Sequence, residues 1–284
     1  MALAWNCPVI GDTILTMDAI NQYILGLGAD GLETDIRQTS DGVYVMHHAS
    51  TVTIDTDSGE TKAVADMTYN ELLTVEPTLM TLDEMSRVQA ENDFFVVYEL
   101  YIDAANHAEN IISILIQNGV DLRKTFFDTK TLSDNVYFVQ ANKNANVIYK
   151  GADATEENFA LAATLLTGLN RVWFSVPYTI TNEELSVLHS YGVGACSWNL
   201  TASYQNDPAT FATLDLDQIN TTANGGLAKL VSARNSYRES EPEYTPFEIL
   251  TDVANAIRTV TGTSGKLDCT QLSNAIRKMS YTTE

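Results

Sequence analysis

Cysteine is scarce, and its placement excludes two architectures. Cys7, Cys196 and Cys269 are the only three, odd in number, far apart and without a C-x-x-C pair, so neither a disulfide framework nor a cysteine zinc site organises the chain. Cationic residues are scarce too: 16 Lys and Arg face 37 Asp and Glu, leaving a net charge of −21. Such a field repels phosphate backbones and anionic membrane surfaces and concentrates cations, which argues against nucleic-acid binding. Long hydrophobic runs are missing. Stretches such as Ile111-Ile112-Ser113-Ile114-Leu115-Ile116 fall far short of the ~20 residues that cross a bilayer. The start, Met1-Ala2-Leu3-Ala4-Trp5, lacks the basic segment and apolar stretch of a secretory leader. The expectation is a soluble chain with no membrane insertion and no signal peptide.

What is present is enough apolar material, 45% of 284 residues, to bury one large core. Short β-branched or apolar runs alternate with helical patterns at even spacing, the sequence form of repeated βα units around a parallel sheet. Eight strands are expected: Leu3 to Cys7, Gly31 to Arg37, Phe94 to Leu100, Thr125 to Thr129, Asn146 to Lys150, Arg171 to Val176, Gly194 to Asn199 and Gln218 to Thr222. Between them lie amphipathic stretches such as Thr16 to Leu27, with Met17, Ile20, Ile24 and Leu27 on one stripe, and Asn182 to Tyr191, with Leu185, Leu188 and His189. This count and order predict an α/β fold, a closed (β/α)8 TIM barrel, over residues 1–238.

A polar linker begins at Glu239, so residues 239–284 are expected to form a linker and a two-helix tail. Thr245-Pro246-Phe247-Glu248 and Asp268-Cys269-Thr270-Gln271 read as helix-capping boxes, and Asn-Ala-Ile-Arg occurs at 255–258 and again at 274–277. Two such helices are too small to fold alone and should bury their apolar faces on a neighbour, in a homo-oligomer or against another protein.

The chemistry concentrates between Gly28 and His47. Residues two apart on a strand share a face, so Glu33 and Asp35 project together near the carboxyl end of the second strand, where barrel active sites are built. Glu99 holds the same position on the third strand, and Thr39-Ser40-Asp41-Gly42 supplies a turn before Val43 to His47. An E-x-D pair elsewhere is commonly a solvated face. Inside a barrel, like charges without a cation are costly, which favours a metal site. Three oxygen ligands with open positions suit Mg or Ca.

The block Gly28-Ala29-Asp30-Gly31-Leu32-Glu33-Thr34-Asp35, continued by Thr39, Asp41, Gly42, Val45 and His47, resembles the glycerophosphodiester phosphodiesterases, whose pattern is roughly G-A-D-x-x-E-x-D-x-x-x-T-x-D-G-x-x-V-x-H-D. The likeness runs on through Thr68, Glu71, Leu82-Asp83-Glu84, the E-x-K position at Glu99, the Trp of a W-T pair at Trp198 and a closing strand around Asn220, about 230 residues in all. The resemblance implies that Glu33, Asp35 and Glu99 hold a divalent cation and that His47 is a catalytic acid or base. It implies a glycerol-phosphate-containing ligand, with Asn6, Tyr101 and Trp198 standing at the substrate. The sequence departs from the pattern where the family has His-Arg-Gly, here Asn6-Cys7-Pro8, and where it has the lysine of E-x-K, here Tyr101; His48 replaces the Asp after the histidine. A catalytic histidine and two cations are thereby lost, and with them most of the expected rate.

The tail pattern resembles short C-terminal repeats in tail proteins of phages infecting Gram-positive bacteria. The expected function is therefore a phage tail or receptor-binding component of the virion, whose barrel binds glycerol-phosphate cell-wall polymer. The alternative is an active metal-dependent phosphodiesterase cleaving glycerophosphodiesters or teichoic acid.

Overall fold

The computed structural model describes residues 2–6, 15–92, 94–177, 179–197, 214–221 and 226–240. Trp198 and the two tail helices lie outside the described residues, so their expectations rest on sequence alone. The described strands are β1 (Ala2–Asn6), β2 (Gly31–Gln38), β3 (Tyr44–Met46), β4 (Thr51–Asp55), β5 (Glu60–Ala63), β6 (Phe95–Leu100), β7 (Thr125–Thr129), β8 (Asn146–Tyr149), β9 (Val172–Val176), β10 (Gly194–Ser197) and β11 (Gln218–Thr221). The sheet order is β1-β11-β10-β9-β8-β7-β6-β2-β3, and β1 also pairs with β2. That extra pairing closes the parallel strands into a ring, with β3 added antiparallel on β2. The eight expected strands are those of the ring.

The helices that follow the strands are α1 (Met17–Ile20), α2 (Tyr69–Val75), α3 (Leu82–Asn92), α4 (Ala104–Gln117), α5 (Leu132–Ala141), α6 (Glu156–Ala163), α7 (Asn182–Ser190) and α8 (Gly226–Ser240). Sequence chemistry fixes where several begin. Thr68 with Glu71 and Thr181 with Glu184 form reciprocal capping boxes, and Thr81 bonds Glu84 in the same way ahead of α3.

Alternation sorts the strand residues into two layers. Leu32, Ile36, Val96, Tyr98, Phe127, Val147, Phe174 and Ile219 form one core with helix residues such as Ile111, Leu115, Phe138, Leu185 and Leu188. The opposite parity, Val97, Phe126, Ile148, Trp173 and Cys196, forms a separate cluster with Phe95 packed against it inside the ring. Phe126 and Trp173 stack with centroids 3.6 Å apart, and the Arg171 guanidinium lies 4.9 Å over Phe126. The interior is thus plugged with rings at its amino-terminal end, which leaves the carboxyl end for polar groups.

One helix departs from expectation. Thr16 caps it, its Oγ1 accepting from the Ala19 amide at 3.2 Å, but α-helical turns stop at Ile20 and wider π-type turns carry the chain from Asn21 to Gly26. Ile20 and Ile24 are buried, whereas Met17 is 42% and Leu27 37% exposed. The wider turns rotate Leu27 off a 3.6-residue stripe, and Met17 in the first turn faces solvent, so the expected four-residue stripe reduces to its middle pair.

The segment between β2 and α2 was only partly foreseen. Asp41 accepts from the Thr39 hydroxyl at 2.6 Å and the Tyr69 amide at 3.0 Å, and Gly42 takes φ 85°, closing the turn that folds β3 back on β2. The Thr-x-Asp-Gly part of the motif therefore serves geometry. β4 and β5 then form a hairpin of their own.

Candidate metal centre

Gly31, Glu33 and Asp35 share the inward parity of β2. At Gly31 a Cβ would stand 2.1 Å from the Phe95 carbonyl oxygen and 2.7 Å from its ring, so only glycine lets Phe95 fill the barrel below the acids. Register sets Asp35 opposite Glu99 on β6, and Glu33 opposite Val97 on β6 and Asn6 on β1. The result is three carboxylates offering oxygens within 4.8 Å of one another. Glu33, Asp35 and Glu99 are 2%, 3% and 6% exposed, so water does little to separate their charges. Glu33 Oε1 is buried with no hydrogen-bond partner.

Electrostatics match that crowding. Burial, then the charges of Asp35 and Glu99, hold the Glu33 carboxyl well above its ordinary range. Burial and the Glu99 charge push Asp35 up to about 8. An unpartnered buried carboxylate oxygen beside two more acids is a donor set of the hard-oxygen kind that Mg²⁺ or Ca²⁺ takes, so the residues fit a divalent cation.

Two further side chains belong here, and the sequence reading missed both. Register places Asp128 of β7 opposite Glu99, and Asp128 is fully buried with its Oδ1 unpartnered. Lys150, just after β8, donates to Glu99 Oε2 at 2.9 Å and to Asp128 Oδ2 at 3.4 Å. Burial drives Asp128 up to about 8 against the pull of Lys150. Burial works against the Lys150 charge, but Asp128 and Glu99 outweigh it and hold its pKa above the ordinary lysine value. A parity signal existed: Asp128 is two residues beyond inward Phe126, and Lys150 two beyond inward Ile148.

The remaining expected residues spread around this cluster. The His47 amide donates to the Asp35 carbonyl at 3.0 Å, which ties it to the end of β2. Its ring Nδ1 lies 2.8 Å from the Ala49 carbonyl. A carbonyl only accepts, so Nδ1 carries the proton and Nε2 is the basic nitrogen of the neutral ring. Burial lowers the His47 pKa and favours that neutral form. Tyr101 follows Glu99 on the rim, its hydroxyl bonded to the Glu99 carboxylate and its pKa raised, chiefly by burial. Lys130 Nζ lies 4.2 Å and Arg37 Cζ 4.5 Å from the centroid of its ring. Arg37 also donates to the His48 carbonyl at 2.9 and 2.6 Å. A cavity of about 350 Å³ opens beside this group, lined by Tyr101, Asp103, Thr129, Lys130 and Asp134 among others. Asn6 is placed by its backbone at the end of β1, next to Glu33.

A ring of eight parallel strands with a carboxylate cluster at its carboxyl end defines a (β/α)8 barrel with a candidate cation site. The sequence profile of the Glycerophosphoryl diester phosphodiesterase family matches residues 15–164, and the chain belongs to that family. Solved structures of similar fold include a glycerophosphodiester phosphodiesterase from Agrobacterium tumefaciens, at TM-score 0.63 and 16% identity over 83% of this chain and 99% of that one. One from Thermotoga maritima gives 0.61 and 18% over 84% and 98%. An Oleispira antarctica phosphodiesterase, solved with its product sn-glycerol-3-phosphate, gives 0.61 and 13% over 83% and 97%. No curated protein sequence matches the chain. No described helix is long and apolar enough to cross a membrane.

Proposed function

We propose that the barrel holds a divalent cation on Glu33, Asp35 and Glu99 and binds a glycerol-phosphate-containing ligand over it, hydrolysing phosphodiesters slowly or not at all. The observation that carries this reading is the retained, buried triad with its unpartnered Glu33 oxygen, set beside Asn6 and Tyr101 where the family pattern has a proton-transfer or cationic side chain. The sn-glycerol-3-phosphate bound by the Oleispira antarctica phosphodiesterase supports the ligand class.

A divalent cation supplies Lewis-acid polarisation of a phosphoryl oxygen. This chain's own residues supply less than a full set around it. His47, neutral with Nε2 basic, is the candidate among the described histidines for moving a proton, and the cavity by Tyr101 and Lys130 is the candidate place for the alcohol portion of the ligand. A second proton-transfer group is what Asn6-Cys7 would have to replace, and neither an amide nor a thiol at that position is a histidine. General acid or base help is worth ~10²–10⁴ in rate, so its loss slows turnover severely while leaving binding.

The setting we propose is a phage tail, with residues 239–284 as a separate two-helix segment that engages a second copy or another tail protein. Its ground is the repeated Asn-Ala-Ile-Arg pattern. Removing residues 244–284 should then change the oligomeric state; an unchanged mass in solution would count against it. The activity test is glycerol phosphate release under saturating Mg²⁺ or Ca²⁺, with calorimetric titration of the metal, on the native chain and Glu33→Ala. Metal affinity that Glu33→Ala abolishes, with little turnover, is expected. Robust turnover lost in Glu33→Ala would establish the enzyme instead, with His47 in the catalytic role.

A further inference from the structure

Four buried carboxylates, Glu33, Asp35, Glu99 and Asp128, meet one ammonium, Lys150, at the top of the barrel. The lysine comes from the end of β8, two strands away from the E-x-K position that Tyr101 occupies. Its contact with Glu99 Oε2 at 2.9 Å uses one of the carboxylates that make up the triad. An ion held by Glu99 is therefore brought beside a fixed positive charge, and the two compete for the same negative field. In a site this dry, such like-charge opposition is screened far less than on the surface.

We propose that Lys150 holds down the site's affinity for a divalent ion alone and couples the binding of that ion to the binding of a phosphorylated ligand. The lysine side chain is 28% exposed, so it stands at the rim of the cluster rather than sealed within it. A phosphoryl group arriving at the ion brings negative charge that both cations can share, relieving the repulsion between them. With Lys150 present, the metal-loaded cluster also carries less net negative charge, so it opposes an anionic ligand less. By linkage the ligand then strengthens the ion as much as the ion strengthens the ligand. Lys150 thus serves as a ligand-positioning cation that the E-x-K strand no longer provides. This inference rests on the carboxylate triad being the metal site.

The test is calorimetric titration of Mg²⁺ into the full chain, native, Lys150→Met and Lys150→Arg, each with and without sn-glycerol 3-phosphate. Lys150→Met should bind Mg²⁺ alone at least about tenfold more tightly than the native chain. The tightening by sn-glycerol 3-phosphate seen in the native chain should shrink about tenfold in Lys150→Met and persist in Lys150→Arg. Equal or weaker Mg²⁺ binding by Lys150→Met, or undiminished coupling, would overturn the inference while leaving the triad as the metal site, provided Glu33→Ala abolishes binding. No Mg²⁺ binding by either the native chain or Lys150→Met would overturn the triad and the inference together. Should Lys150→Met fold only with Mg²⁺ present, the dependence of its melting temperature on Mg²⁺ concentration gives the same affinity comparison.

Discussion

Replacing Glu33 by glutamine should stabilise the protein without divalent ions and destabilise it, relative to the native chain, with them. Glu33 is 2% exposed, its Oε1 has no partner, and burial with the Asp35 and Glu99 charges holds its carboxyl well above the ordinary range. A buried polar group left unsatisfied costs about 1–3 kcal/mol. Glutamine keeps the shape, removes the charge and offers an NH₂ to the neighbouring acids, so in EDTA a gain of about 1–3 kcal/mol is expected, with ~2–4 °C in melting temperature for each kcal/mol. The sign with pH follows from the raised pKa. The folded native chain keeps a proton that the unfolded chain releases, so its stability drains as pH rises, whereas the glutamine variant loses nothing at this position. The advantage of Glu33→Gln should thus be small near pH 5 and grow towards pH 9. Saturating Mg²⁺ reverses the order, because an ion at a thousand times its Kd adds about 4.1 kcal/mol to the native chain alone, more than the glutamine gain. Thermal melts of both proteins in EDTA and in Mg²⁺ read the crossing directly. A Glu33→Gln protein that is less stable than native in EDTA at high pH, or equally stabilised by Mg²⁺, would refute the reasoning.

Asp35 and Asp128 are each raised from 3.8 to about 8, mainly by burial. Without divalent ions the native chain should lose stability as pH climbs through that window, and Mg²⁺ affinity should rise across it; melts and titrations at several pH values check both, and stability that increases with pH would contradict them. Tyr101 meets both Lys130 and Arg37 with its ring, so Tyr101→Leu should melt below Tyr101→Phe by about 1–2 kcal/mol of cation–π attraction, and identical melting of the two would show that the ring contributes nothing.

Much of the barrel was legible because strand period and strand length are local properties. Runs such as Thr125 to Thr129 carry their own boundaries, and the inward pair Glu33 and Asp35 follows from spacing alone. Glu99 was legible for the same reason, as the last inward residue before its strand ends. Asp128 and Lys150 were not, because their meeting depends on register between strands: Glu99 pairs with Asp128, and Thr129 with Tyr149. No local pattern in Phe126-Phe127-Asp128 or Tyr149-Lys150 states that register. Applying inward parity to every strand end would have nominated both. The π-type turns after Ile20 were hidden for a related reason, since a 3.6-residue stripe reads the same until the turns widen. The hairpin of β4 and β5 has one buried residue, Val52, on a ladder otherwise exposed or half-buried, so it gave little amphipathic signal.

The proposed cation site stands on Glu33, Asp35 and Glu99 acting together. Crystals of the full chain grown or soaked with Mn²⁺, a stand-in for Mg²⁺ with measurable anomalous scattering, put it to the most direct test. A single strong anomalous peak in contact with oxygens of all three carboxylates, absent in Glu33→Ala, is expected. A peak elsewhere, or none among these carboxylates at Mn²⁺ concentrations that saturate the solution titration, would contradict it.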